Sequence, residues 1–173
     1  MRKNRLLEIL AAAAILIALS AILRADKAYY TEIAPQEGYL GSVTVFDAGA
    51  EPVYKWYSAS GYVISSDVSK DGKRLAVACE ENGQGKVHIF STDSTDEKGL
   101  FTCDEIVVEL GYLDNKLCAL TEHGIYVLNG KGRVKKHVKL DGYLGDYKFE
   151  DGKLTVDVQS HMSGGYIKTL EIN

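Results

Sequence analysis

The chain has 173 residues, of which 46% are hydrophobic and 25% are charged, enough for one domain of ordinary size and an additional segment. Residues 1–24 carry four Arg or Lys and one Glu, a net charge of +3, which leaves −7 for residues 25–173 of a chain whose total is −4. A domain that acidic repels phosphate backbones, so the composition argues against nucleic acid as a partner.

The N-terminal segment is strongly apolar. Leu6 to Leu23 is an 18-residue stretch with a single charge, Glu8. At ~1.5 Å per residue a helix of this length spans roughly 27 Å, close to the ~30 Å hydrocarbon core of a bilayer. Arg2, Lys3 and Arg5 precede the stretch, so the positive-inside rule predicts a cytoplasmic N-terminus and an exported remainder. We therefore expect residues 1–24 to be a single-pass signal-anchor in the cell membrane.

Two other interpretations of this segment stay open. Ala18-Leu19-Ser20 before Ala21 is an acceptable cleavage site for a secretory signal peptide. An amphipathic helix of a soluble domain would need a polar face, and only Glu8 and Ser20 could contribute to one. Sequence alone does not decide whether the segment is retained or removed.

A β-hairpin pattern recurs about every forty residues in the rest of the chain. A turn-forming pair precedes a Lys and an apolar strand at Asp71-Gly72, at Asp114-Asn115 and at Asp151-Gly152. A second element opens on Gly and continues as a strand; it begins at positions 41, 85, 124 and 165, in steps of 44, 39 and 41 residues. One supersecondary unit at this period is typical of a propeller-like array of blades.

The predicted fold is all-β after the N-terminal helix. The pattern predicts about thirteen strands, in groups of two, four, four and three, and no helix beyond Ala25. We therefore expect a short linker at 25–38 and, at 39–173, about three to three and a half four-stranded antiparallel blades. Closed propellers usually have four to eight blades, so the array is either small and irregular or an open, incomplete fragment. An open array would leave an unpaired strand edge that favours self-association.

The sequence offers no catalytic, cofactor-binding or metal-binding constellation. Asp at the hairpin tips is explained by turn chemistry, because Asp bonds to nearby backbone and tolerates left-handed dihedrals. The four histidines form no ligand pair, and the acidic residues on turns lack a calcium-loop spacing, so both groups predict solvated or structural side chains. These residues are His88, His123, His137, His161, Glu80, Glu81, Asp93, Asp96, Glu97 and Asp104.

Three cysteines, Cys79, Cys103 and Cys118, fit no zinc spacing and make an odd count. Cys79 and Cys118 lie inside apolar strands, where a free Cys behaves as a small buried hydrophobe. A pair between any two of the three stays open.

Two hairpins carry a resemblance to known propellers. Ser69-Lys70-Asp71-Gly72-Lys73-Arg74-Leu75 resembles the Ser-Pro-Asp-Gly-Lys-x-Leu hairpin of WD40-like and TolB-like propellers, with Lys70 in place of Pro. The stretch from Ile125 to Val134 looks like the outer hairpin of quinoprotein-like blades. The Trp-Asp signature of WD40 repeats proper is missing, because Trp56 is followed by Tyr57.

The whole arrangement is similar to an uncharacterised family of membrane-anchored propeller-like proteins from Gram-positive bacteria. The resemblance covers roughly residues 1–173. Members of that family are longer, which raises truncation as one interpretation of this chain. The family has no established activity, so the resemblance implies no catalytic residue.

Two functions follow from these observations. The first is a membrane-anchored, extracytoplasmic binding or scaffolding domain without catalysis, with a protein or cell-envelope partner. The alternative is an exported cell-envelope enzyme, or its relic, that acts on a glycan or a peptide. Its active site would lie where blade loops converge, with Glu80, Glu122 and Asp157 as the acidic side chains.

Overall fold

The computed structural model describes residues 28–94, 96–160 and 166–172. These residues form fourteen β-strands and no helix. The strands are β1 (Tyr29–Ala34), β2 (Gly41–Asp47), β3 (Pro52–Ser58), β4 (Tyr62–Val68), β5 (Arg74–Glu81), β6 (Gln84–Ser91), β7 (Glu97–Cys103), β8 (Val107–Leu113), β9 (Lys116–Thr121), β10 (Gly124–Leu128), β11 (Val134–Lys139), β12 (Tyr143–Glu150), β13 (Lys153–Gln159) and β14 (Tyr166–Glu171).

The described strands form four antiparallel sheets that follow one another along the chain. Sheet 1 has the order β1-β2-β3, sheet 2 has β4-β5-β6-β7, sheet 3 has β8-β9-β10-β11 and sheet 4 has β12-β13-β14. Each sheet is an up-and-down meander, because every strand pairs with the strand before it. The expected all-β array of antiparallel blades is confirmed, with three, four, four and three strands.

A hydrophobic core lies between each pair of successive sheets. In β5 and β9 both side-chain faces are buried, so that Leu75, Val77 and Cys79 pack toward sheet 1 while Ala76 and Ala78 pack toward sheet 3. This continuous burial explains why the strand from Leu75 is apolar at every position. Each fully buried Leu, Ile or Val contributes roughly 1.5–3 kcal/mol, so the three cores hold the sheets together.

The two terminal sheets bury only one face. In β13, Leu154, Val156 and Val158 are fully buried against sheet 3, whereas Thr155 and Asp157 on the other face are half-buried. That outward face of sheet 4 also carries two ion pairs, Lys148–Glu150 at 2.6 Å and Lys153–Glu171 at 2.8 Å. The outward face of sheet 1 is aromatic instead: Tyr30 stacks on Phe46 and Tyr39 packs on Tyr57.

The turns follow the predicted Asp and Asn chemistry. Asp151 and Gly152 have φ of 50° and 71° and join Glu150 to Lys153 as a two-residue hairpin loop, the conformation that Asp-Gly favours. Asp114 has φ of 53°. Asp71 instead accepts hydrogen bonds from Ser69 Oγ at 2.6 Å and from Lys73 N at 3.1 Å, and the Ser69 bond is the main cause of its lowered pKa.

The start of the array differs from the sequence prediction. Residues 29–34, expected to belong to the linker, form β1 and pair with β2 over six positions. The predicted count of two strands for the first blade is therefore wrong, and sheet 1 has three. The loop between β1 and β2 has no Asp-Gly or Asn-Gly pair, so the hairpin signal that marks later blades is missing there.

The first predicted copy of the Gly-initiated element, at Gly41, does not correspond to the later copies. Gly85 and Gly124 lie in the third strands of their sheets, and β14 is likewise a third strand. Gly41 instead lies in β2, the second strand of sheet 1. The step from 41 to 85 therefore joins strands that are not equivalent, although their local sequences look alike.

The described residues include no helical segment that could serve as a membrane span. The expected anchor at residues 1–24 lies outside the described ranges. Cys79, Cys103 and Cys118 are all free thiols. Burial raises the pKa of Cys79 to about 11 and that of Cys118 to about 12, as expected of cysteines inside apolar strands.

Candidate functional site

The first strands of the four sheets lie side by side and enclose a cleft. Residues of β1, β4, β8 and β12 and of the β12–β13 turn line a cavity of about 480 Å³, which we call the inner-strand cleft. Its walls include the side chains of Tyr30, Asp67, Glu109, Tyr112 and Tyr147. All four sheets therefore contribute to this single cavity.

A β-bulge interrupts three of these strands at a corresponding point. The register shifts between Val63 and Ser65 in β4, between Val107 and Glu109 in β8, and between Leu144 and Tyr147 in β12. A bulge adds unpaired backbone and turns the following side chain away from the regular alternation. In each strand, the side chain just after the bulge is polar.

These three side chains form one hydrogen-bonded line across sheets 2, 3 and 4. Ser65 Oγ donates to Glu109 Oε1, and Tyr147 Oη donates to Glu109 Oε2 at 2.7 Å. The backbone N–H of Leu110 also donates to Glu109 Oε1 at 3.0 Å. Both carboxylate oxygens of Glu109 are therefore held in place. We call these three hydrogen-bonded side chains the Ser65–Glu109–Tyr147 line.

Two further contacts extend the connection between the sheets. Asp67 accepts a hydrogen bond from the backbone N–H of Tyr112 at 2.7 Å, which joins β4 to β8. Thr31 Oγ1 donates to the carbonyl of Ser66 at 3.0 Å, which joins β1 to β4. Each pair of neighbouring first strands is thus connected through polar groups at the cleft.

The approach of β12 to β8 depends on a glycine. A Cβ at Gly111 would lie 2.4 Å from the ring of Phe149, a separation that real side chains do not show. The ring of Phe149 therefore covers the backbone of β8 and closes one wall of the cleft. Tyr147 and Phe149 meet edge to face, with ring centroids 6.3 Å apart.

The charged residues that line the inner-strand cleft are all acidic. Its lining includes five carboxylates and no Lys, Arg or His. Glu150 is neutralised by Lys148, but Glu109, Asp114 and Asp151 have no ion-pair partner in the part of the chain that the structure describes. The five are Asp67, Glu109, Asp114, Glu150 and Asp151.

Two tyrosines of the cleft remain protonated far above neutral pH. Burial, the hydrogen bond to Glu109 and the charge of Glu109 together raise the pKa of Tyr147 to about 12. Burial also raises the pKa of Tyr112, whose hydroxyl is enclosed and has no hydrogen-bond partner in the described residues. The aromatic side chains are therefore neutral, and the negative charge of the cleft comes from its carboxylates.

The acidic residues suggested for an enzyme lie on three different sheets and outside the inner-strand cleft. Glu80 accepts a hydrogen bond from Gly83 N at 2.6 Å in the β5–β6 turn of sheet 2. Glu122 lies between β9 and β10 of sheet 3, and Asp157 lies on the outward face of sheet 4. None of the three lines the inner-strand cleft.

Several of the other residues considered from the sequence have structural contacts. Glu81 is buried and pairs with Lys86, and it accepts from Ser60 Oγ at 3.0 Å. His88 Nδ1 lies 3.1 Å from Glu97 Oε1. His161 lies outside the described residues, and the ranges that are described contain no cluster of three or more potential metal ligands.

Sequence reasoning missed Ser65, Glu109 and Tyr147. One signal was present, because Glu109 interrupts the apolar run Val107-Val108-Glu109-Leu110 and a charge inside a strand needs partners. The sequence did not indicate which residues these partners are, because they come from β4 and β12. Their orientation also depends on bulges that no residue pattern predicts.

Solved structures share this architecture. The chain is similar to Raptor of Chaetomium thermophilum (14% identity, TM-score 0.60), the Pan2 WD40 domain of Neurospora crassa (14%, 0.51) and the Cps50 (Swd1) β-propeller domain of Myceliophteria thermophila (14%, 0.52). The matches cover 76%, 79% and 76% of this chain but 13%, 45% and 48% of those chains, so this chain spans less than half of each. The fold is therefore propeller-like. No protein-family model and no curated protein matches the sequence.

The pKa of Tyr147 tests the geometry of the Ser65–Glu109–Tyr147 line. Because a raised pKa favours the folded state while the phenol is neutral, this contribution to stability is complete below pH 10 and is lost as the pH rises toward about 12. In Glu109→Gln the pKa of Tyr147 should fall but stay above 10, since burial persists. The measurement is the pH titration of the Tyr147 ring carbon by NMR, assigned with Tyr147→Phe; an unchanged pKa in Glu109→Gln would show that the two side chains do not interact.

Proposed function

We propose that this chain is a membrane-anchored, extracytoplasmic binding or scaffolding domain without catalytic activity, and that its protein partner places a positively charged side chain in the inner-strand cleft. The observation that carries the proposal is the cleft itself, an acidic and aromatic cavity to which four sheets contribute. The hydrophobic stretch Leu6–Leu23 supports the anchor by its length and flanking charges.

The chemistry of the cleft suits a cationic group. Carboxylates without a cationic partner attract an ammonium or a guanidinium group, and a cation over an aromatic ring gains further electrostatic energy. Glu109 is already oriented by Ser65 and Tyr147, so it loses little conformational entropy when a ligand binds. Tyr147 and Phe149 add apolar surface for the methylene groups of a Lys or Arg side chain.

The enzyme alternative has no comparable support. Its three acidic residues lie on three different sheets, and one of them, Glu80, holds a turn. In the cleft, both oxygens of Glu109 are occupied by hydrogen bonds within the protein.

Self-association through an open sheet edge belongs to the same proposal. The outward face of sheet 1 next to the edge strand β3 leaves Tyr39 and Tyr57 exposed by 48% and 40%. Sedimentation of the full chain in a non-ionic detergent as a single protomer would contradict it.

The membrane topology gives one prediction. If residues 1–24 anchor the chain with a cytoplasmic N-terminus, a protease added outside intact cells should degrade the domain, while a cytoplasmic marker protein stays intact. Mass spectrometry of the purified chain should find Met1 to Leu23 still attached. Protection of the domain until the cells are permeabilised would contradict the proposed location.

A second prediction concerns the charge of the ligand. The full chain in a non-ionic detergent should bind the N-acetylated tripeptide amide Ala-Lys-Ala measurably by titration calorimetry and should not bind the N-acetylated amide of Ala-Gln-Ala, which carries no positive charge. Asp114→Asn and Asp151→Asn keep side chains that tolerate the left-handed turn, yet each removes a charge and should weaken binding about threefold to tenfold.

Asp47→Asn is the matched control, because Asp47 also caps a hairpin turn but lies outside the cleft. It should bind the Lys peptide as the unaltered chain does. Equal weakening in all three variants, or equal binding of the Lys and Gln peptides, would rule out the cleft as the site of a cationic group.

A further inference from the structure

A second cavity, of opposite charge, lies at the turn ends of sheets 2, 3 and 4. It measures about 630 Å³ and shares no lining residue with the inner-strand cleft. Its basic side chains are Arg74, Lys116, Lys135 and Lys136. We call this cavity the basic pocket.

Among the described residues, the cations of the basic pocket form no ion pair, although the charge of Arg74 contributes, after the Ser69 hydrogen bond, to the lowered pKa of Asp71. In the described ranges, no carboxylate lies within ion-pair distance of Arg74, Lys116, Lys135 or Lys136. The single acidic residue of the lining, Glu171, is bound to Lys153 at 2.8 Å. Four basic residues thus line one cavity of a domain whose net charge is −7.

Arg74 reaches the pocket from a neighbouring sheet. It begins β5 of sheet 2, and its Nη1 lies 3.1 Å from where a Cβ on Gly130 would stand, in the β10–β11 turn of sheet 3. A side chain at position 130 would crowd the guanidinium group and force it to move. The turn is held in shape by Asn129 Oδ1, which accepts from the backbone N–H groups of Lys131 and Arg133 at 2.9 and 3.1 Å.

The floor of the basic pocket is apolar. Val127 and Leu128 are buried at the end of β10, and half-buried Ile172 follows β14. A cavity of this size with a basic rim and an apolar floor has room for a charged group and for the organic part that carries it. The rim therefore sets the charge of the ligand, and the floor accommodates its body.

We propose that the basic pocket binds a phosphoryl group, with the Arg74 guanidinium as its main ligand and Lys116, Lys135 and Lys136 as supporting charges. A guanidinium group donates two parallel hydrogen bonds to phosphoryl oxygens, whereas lysines supply adaptable point charges. The phosphoryl group could come from a small phosphorylated molecule or from a phosphodiester or polyphosphate chain, since both present the same oxygens.

The test uses the full chain in a non-ionic detergent at low ionic strength, with inorganic pyrophosphate as the probe and titration calorimetry as the readout. Binding should be saturable with one site and should weaken as salt is added. Lys136→Gln, at an exposed position that does not threaten folding, should weaken binding about tenfold, and Arg74→Lys should also weaken it because it keeps the charge but loses the paired donors.

The matched control is Lys98→Gln, which removes the same charge at an exposed lysine outside the basic pocket. It should leave the affinity for pyrophosphate unchanged. Equal weakening by Lys98→Gln and Lys136→Gln, or binding without saturation, would overturn the proposal.

The two sources of the phosphoryl group are separated by a second pair of probes. Glycerol 3-phosphate represents a small molecule, and a polyphosphate of about ten units represents a chain. If polyphosphate binds more tightly per phosphate group than glycerol 3-phosphate, the ligand is a chain that extends beyond the pocket. If the two affinities per phosphate group are equal, the ligand is a small molecule. Because the lysine peptide binds elsewhere, Lys136→Gln should leave its affinity unchanged, so that the two proposals fail or succeed separately.

Discussion

Glu109 is half-buried where sheets 2, 3 and 4 meet, and both of its carboxylate oxygens accept hydrogen bonds. A carboxylate in such a place must be satisfied by donors, and here the donors come from both neighbouring sheets: Ser65 from β4 and Tyr147 from β12. The relative position of sheets 2, 3 and 4 is thereby tied to the geometry of one side chain. The same side chain lines the cleft, so the connection between the sheets is made at the cavity itself.

The three bulges make this arrangement possible. A regular strand would direct Ser65, Glu109 and Tyr147 according to the alternation that buries the core, and the bulge before each one changes that direction. The cores between the sheets are nevertheless undisturbed, since β5, β9 and β13 keep their regular burial. The bulges thus redirect polar side chains of the first strands without interrupting the apolar burial of the second strands.

The charges of the domain are separated in a similar way. Asp114 faces the inner-strand cleft and the next residue, Asn115, lines the basic pocket, so that the β8–β9 turn divides an acidic cavity from a basic one. A domain with a net charge of −7 would ordinarily repel anions, and four cations gathered in one pocket provide a local exception. A scaffold that holds two ligands of opposite charge a short distance apart is consistent with both proposals.

The sequence predicted the parts of the fold that rest on local chemistry. Apolar runs such as Leu75–Cys79 indicated strands buried on both faces, and Asp151-Gly152 indicated a hairpin with left-handed dihedrals. The prediction failed where the structure depends on distant partners. No local turn signal marks β1. The sequence that begins at Gly41 resembles those of the third strands, although Gly41 lies in a second strand. The site was not predictable for the same reason, because the partners of Glu109 lie 44 and 38 residues away.

The account depends most directly on the coupling of Ser65 and Tyr147 through Glu109. A double-mutant cycle with Ser65→Ala and Tyr147→Phe measures it, using the free energy of unfolding in urea followed by the fluorescence of Trp56, the single tryptophan. The two side chains bond to the same carboxylate, so we predict an interaction energy of at least about 0.5 kcal/mol. Strictly additive effects of the two substitutions would contradict the claim that one side chain connects the three sheets.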